Sequence, residues 1–111
     1  MLIAGTLFLS MDSIFRTSEA YKFAVQQVKE NPEVQRVFGS DFEYSLDKTD
    51  GFSIGGADSY ADFSLKVQGS GTSGIIYISM EKNIGVWEFN GANLLISGQQ
   101  PTVLLLKNGN I

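Results

Sequence analysis

At Gly39 the period of the apolar residues changes from that of a helix to that of a strand, and this switch limits the folds open to the chain. From Thr17 the apolar positions Tyr21, Ala24, Val25 and Val28 fall at i, i+3, i+4 and i+7. Lys22, Gln26, Gln27, Lys29 and Glu30 lie opposite them, the pattern of one amphipathic helix. Ser18 is suited to cap its start, and Glu19 to the first turn, where a carboxylate meets the positive end of the helix dipole. Asn31-Pro32 interrupts the run, because proline lacks the N–H that continuation needs yet fits the first turn of a new helix. Val34, Val37 and Phe38 supply the apolar side of that short second helix, and Gly39 is placed to end it in a left-handed conformation.

Beyond Gly39 the period is two. Phe42, Tyr44 and Leu46 alternate with Asp41, Glu43, Ser45 and Asp47, so this stretch reads as a strand wet on one face. Lys48-Thr49-Asp50-Gly51 reads as its turn, and Phe52 to Ile54 as a short strand stopped by Gly55-Gly56. Strands are then expected over Tyr60 to Gln68, Ile75 to Lys82, Val86 to Asn90, Leu94 to Ser97 and Thr102 to Lys107. A glycine and hydroxyl loop from Gly69 to Gly74, the turn Asn83-Ile84-Gly85 and the break Gly91-Ala92-Asn93 separate them. Helices followed by a meander predict an α+β fold, with an N-terminal helix or two helices packed on one face of an antiparallel sheet of about six strands. Residues 17–111 are expected to form a single domain.

Residues 1–16 form a separate apolar segment. As a helix, Met1 to Leu9 would span about 14 Å, less than half of a bilayer core. No Lys or Arg precedes them and no small-x-small cleavage site follows, so a secretory signal fits poorly. Two readings stand side by side: the end of a membrane anchor whose upstream half lies outside this sequence, or an apolar helix buried on the core or on a second chain. The second reading would make a homodimer through Met1 to Phe15.

Composition narrows the chemistry. Without cysteine or histidine there is no thiol nucleophile, no Ser-His-Asp machinery and none of the usual zinc or haem ligands. A net charge of -4 opposes capture of nucleic acid. Gly69-Ser70-Gly71-Thr72-Ser73-Gly74 matches G-x-G-x-x-G, but a β-branched and aromatic run follows where a dinucleotide site needs a helix, so it reads as a flexible hairpin loop. Asp47 to Gly51 lacks the spacing and distal glutamate of a calcium loop. Asp58 and Asp62 could be paired only if a cleft joined them, and read as solvated strand ends. Tyr21 belongs to the apolar helix stripe, the charges of the helices to solvated faces. Trp87 reads as an inward anchor whose N–H needs a partner. No catalytic, cofactor-binding or metal-ligating residue is expected, and the chain is read as a non-enzyme.

The order of these segments carries a resemblance. Ser18-Glu19-Ala20-Tyr21-Lys22-Phe23-Ala24, Asn31-Pro32-Glu33-Val34 and Val37-Phe38-Gly39 resemble the helical opening of the cytochrome c oxidase assembly factor 1 family. Ala61 to Gly74 and Gly85-Val86-Trp87-Glu88-Phe89 resemble its later part, so the likeness covers residues 18 to about 97. Its motif residues Tyr21, Ala24, Pro32, Gly39, Gly69, Gly71, Gly74 and Trp87 look structural. The resemblance implies a single-pass anchor followed by a small α+β domain on the non-cytoplasmic side, related in fold to a subunit of the mitochondrial inner-membrane translocase. Such proteins act by holding partners, chiefly new oxidase subunits, and carry no known catalytic residue; no cofactor is expected for this chain. Without a complete anchor the chain as it stands would be soluble. The expected function is therefore a protein-interaction domain that assists assembly of a membrane complex, with an exposed sheet edge able to accept a partner strand. The alternative is a soluble small-ligand-binding module with an apolar pocket between helix and sheet, lined by Phe63, Ile78 and Trp87.

Overall fold

Helix α1 (Glu19–Glu30) starts at Ser18, whose hydroxyl accepts the Tyr21 N–H at 3.2 Å, and it buries the predicted stripe Tyr21, Ala24, Val25 and Val28 together with Ala20. Asn31 serves both helices: its N–H donates to the Val28 carbonyl, while its Oδ1 accepts the Val34 N–H at 3.1 Å and so caps α2 (Pro32–Phe38). That double duty explains why a polar residue is buried at this corner. Gly39, at φ 88°, ends α2 in the conformation that glycine adopts without strain. The computed structural model describes residues 15–53, 59–69, 71–104, 106 and 109–110. The expectations for Met1 to Ile14, for Asp58 and for Ser70 fall outside them.

Strands β1 (Glu43–Ser53), β2 (Tyr60–Gln68), β3 (Ser73–Asn83) and β4 (Val86–Leu95) form an antiparallel meander in sequence order. Two expected breaks are corrected here. Lys48 to Gly51 is no turn: β1 runs through it, with Asp47 and Asp50 as the extra residues of two bulges against β2. Gly91 to Asn93 does not split β4 either, because the irregularity is a bulge at Asn90 opposite Ser79 and Met80. In both cases a long partner strand offers pairing to each half, so residues that could turn the chain instead kink a continuous strand. Of the expected strand Thr102 to Lys107 only β5 (Thr102–Val103) is strand, Leu104 and Leu106 are not, and Leu105 and Lys107 lie outside the described residues; a further short strand, β6 (Gly109–Asn110), follows beyond it. Both short strands pair along one antiparallel line of β4, on either side of Asn90.

The bulges preserve one buried face. Leu46, Phe63, Leu65, Val67, Ile76, Ile78, Met80, Trp87, Ala92 and Leu94 meet α1 and α2 in a single core, and Phe23 stacks on Phe89 at 5.8 Å. Phe15 is also fully buried there, with ring centroids 4.8 Å from Phe63, 5.0 Å from Phe52 and 5.5 Å from Tyr21. The opposite face carries exposed Tyr60, Tyr77 and Leu95. On it, fully buried Ser64 donates its hydroxyl to Asp47 Oδ2 at 3.1 Å, tying the first bulge to β2. The helices therefore cover one face of the sheet, as the α+β expectation has it.

The β3–β4 hairpin turns on two residues of positive φ, Ile84 (50°) and Gly85 (79°). Such a turn favours Asn-Gly, and a β-branched residue there is strained; Ile84 is also 97% exposed, so packing offsets nothing. Ile84→Asn is expected to raise stability by about 1 kcal/mol, read as a higher midpoint in urea unfolding followed by Trp87 fluorescence.

Candidate interaction surface

The three residues expected to line an apolar pocket are part of the filled core: Phe63, Ile78 and Trp87 are between 1% and 3% exposed. Phe15 and Tyr21 occupy the space over Phe63, with centroids 4.8 and 5.9 Å away. The pocket expectation is thus corrected at these residues, because the aromatic rings of the helical segment interdigitate with the sheet.

Trp87 has the partner its N–H requires. Its Nε1–H donates to Glu19 Oε2 at 3.3 Å, and Lys82 Nζ donates to the same oxygen at 3.1 Å while standing 5.8 Å from the indole centroid. Glu19 opens α1, so one carboxylate answers the helix dipole, a cation and a buried indole together. The hydrogen bond from Lys82, then that from Trp87, hold its pKa below the ordinary glutamate value. A depressed carboxylate pKa stabilises the fold above the unfolded pKa, and that contribution disappears as pH falls through the folded pKa. Wild type should therefore exceed Glu19→Gln in melting temperature at pH 7, with the difference shrinking as pH drops below 4.5.

The glycine motif has a packing role in place of a phosphate cradle. A Cβ on Gly69 would lie 2.3 Å from the Phe38 carbonyl oxygen, and one on Gly74 would lie 3.2 Å from Phe38 Cζ and 3.0 Å from the Leu95 oxygen. Gly71 has φ 83°, and the Gly69 N–H closes the loop onto the Thr72 carbonyl at 2.7 Å. Strand β3 begins at Ser73, so no helix N-terminus follows the loop. Of the other motif residues, Tyr21 and Ala24 are buried in α1, Pro32 is the first residue of α2 and Gly39 is its cap.

On the open face of the sheet, Asp50 and Asp62 share a shallow depression of about 240 Å³ with Tyr77, Ser79 and Asn93. Among the described residues no three acidic groups gather as a metal site would require.

A larger groove, about 450 Å³, runs between α1 and the edge strand. Tyr21, Val25 and Tyr44 give it apolar walls, while Arg16, Lys22 and Lys29 supply cations and Gln26 an amide; among the described residues no carboxylate lines it. Lys29 Nζ lies 5.0 Å from the Tyr44 centroid, a cation–π contact. Burial, followed by the influence of Tyr44, raises the pKa of the Tyr21 phenol. Among the described residues the ion pairs are Arg36–Glu33 and Lys82–Glu19, so none of the three groove cations is neutralised in this way. Beside the groove, β1 pairs with β2 alone among the described residues. From sequence, Lys22 and Lys29 belong to a solvated helix face. Their shared stripe with Gln26 at i, i+4 and i+7 was visible, but the approach of Tyr44 from another element was not.

In comparison with known proteins, the family model of cytochrome oxidase complex assembly protein 1 fits residues 1–107. No curated protein matches the chain, and no solved structure does.

Proposed function

Because the chain belongs to the cytochrome oxidase complex assembly protein 1 family, we propose that it is a non-enzymatic binding domain. It would hold subunits of a membrane oxidase complex while the complex is put together. The observation that carries this reading is the edge of β1, unpaired among the described residues, beside a groove whose lining offers cations, phenols and an aliphatic chain. Such an arrangement suits a polypeptide, since an edge strand supplies main-chain hydrogen bonds and an adjacent groove sorts side chains. Tethering at a membrane, with the domain on the non-cytoplasmic side, belongs to the same proposal. It is supported by the apolar run Met1 to Leu9; no helix among the described residues is long and apolar enough to cross a bilayer.

Deletion of the coding sequence, followed by native gel separation and haem spectra of the membranes, tests the assembly role. Assembled oxidase is expected to fall and to return when the full chain is resupplied. Unchanged oxidase in the deletion strain would remove the proposal. For the tether, the full chain should sediment with membranes and resist extraction by high salt.

A further inference from the structure

We infer that the groove between α1 and β1 takes an extended acidic segment of a partner polypeptide, laid as an additional strand along Glu43 to Leu46. This deepens the binding-domain reading and rests on it. The edge itself limits the register: bulges at Asp47 and Asp50 disrupt the second half of β1, whereas Glu43 to Leu46 keeps regular pairing with β2. A bulged edge resists strand addition and a regular one accepts it.

A strand added there lies about 4.8 Å from β1 and turns alternate side chains toward the helices. On β1, Tyr44 and Leu46 belong to the helix side, opposite Val67 and Leu65. The added strand's residue beside Tyr44 therefore enters the apolar part of the groove against Tyr21 and Val25. Its neighbours two positions away on the same face reach the rim, where Arg16, Lys22 and Lys29 stand without an acidic residue among the described lining groups. The pattern that fits is acidic-x-apolar-x-acidic.

Charge favours this occupant specifically. The chain carries net -4, so its overall field opposes acidic partners, yet three of its eight Lys and Arg line this one groove. A basic segment would meet like charge, and a wholly apolar one would leave the cations uncompensated beside it. The local cations supply both attraction and register.

The test uses the full chain and a fluorescein-labelled ten-residue peptide centred on Glu-Thr-Leu-Thr-Glu, with a Lys-for-Glu peptide as comparison. Fluorescence anisotropy should show binding of the acidic peptide alone, weakening with added salt. Lys22→Glu combined with Lys29→Glu should lower that affinity by about tenfold or more, and Lys29→Gln less. Trp87 fluorescence and circular dichroism verify that the variants are folded. Hydrogen exchange should slow at residues 43–46 on binding. Equal binding of the Lys peptide, indifference to charge reversal, protection confined to β3 and β4, or binding of phosphatidylglycerol vesicles with no peptide binding would each overturn the assignment. The assembly reading is scored separately in the deletion strain. If the doubly reversed variant restores oxidase as well as wild type does, the groove is excluded and the assembly role stands. If deletion never lowers oxidase, the assembly role fails whatever the peptide does.

Discussion

Gly69→Ala is expected to lower stability by ~3 kcal/mol and the melting temperature by more than ~10 °C. The added methyl would lie 2.3 Å from the Phe38 carbonyl oxygen, 2.7 Å from its Cα and 2.8 Å from its Cβ. Two of those atoms are backbone, so no rotamer change relieves the clash; the end of α2 must lift from the β2–β3 loop. That movement would also loosen Phe38, whose ring fills the space left open by Gly74. Gly71→Ala is the control. It meets nothing within 4 Å and bears only the strain of φ 83°, so about 1 kcal/mol is expected. Thermal unfolding of the two variants distinguishes close approach from conformational freedom as the reason for the motif. Equal melting temperatures would show that α2 does not rest on this loop.

Phe63→Ala and Phe15→Ala should each cost about 3–5 kcal/mol, the range for emptying a buried phenylalanine site. Phe63 is 1% exposed and Phe15 fully buried, with their centroids 4.8 Å apart and Phe52 and Tyr21 completing the cluster. The double variant should cost less than the two losses added together, by about 0.5–1.5 kcal/mol, because the second truncation removes a contact already lost. Tyr77→Ala, on the open face at 43% exposure, should change stability by less than about 0.5 kcal/mol. Denaturant titration gives all four values. Additive losses at Phe15 and Phe63 would mean that the residues preceding α1 are not part of the same core.

Much of the fold could be read from local chemistry. The caps Ser18 and Asn31, the stripe of α1 and the alternation in β2 and β3 all express constraints set by residues close in sequence. Each is therefore where the pattern predicts it. The β1 region shows where this stops. Asp47, Lys48, Asp50 and Gly51 suit a turn and a bulge equally, and the choice depended on whether β2 was long enough to pair both halves. Trp87 was predicted to need a partner, but Glu19, 68 residues away, could not be named from spacing.

The candidate site divides in the same way. Lys22, Gln26 and Lys29 share a helical stripe that sequence alone reveals, and the alternation of Tyr44 with Glu43 and Ser45 marks its side of a strand. Sequence by itself determined the helices, the period-two scaffold and the absence of imidazole and thiol chemistry, because each follows from residue types and their local spacing. Tertiary structure alone decided that one flank of α1 comes beside Tyr44 of β1, that Phe38 closes on Gly69, and that three cations and two phenols share one groove. Those outcomes depend on which surfaces exclude water together, a property of the assembled layers that no local period encodes.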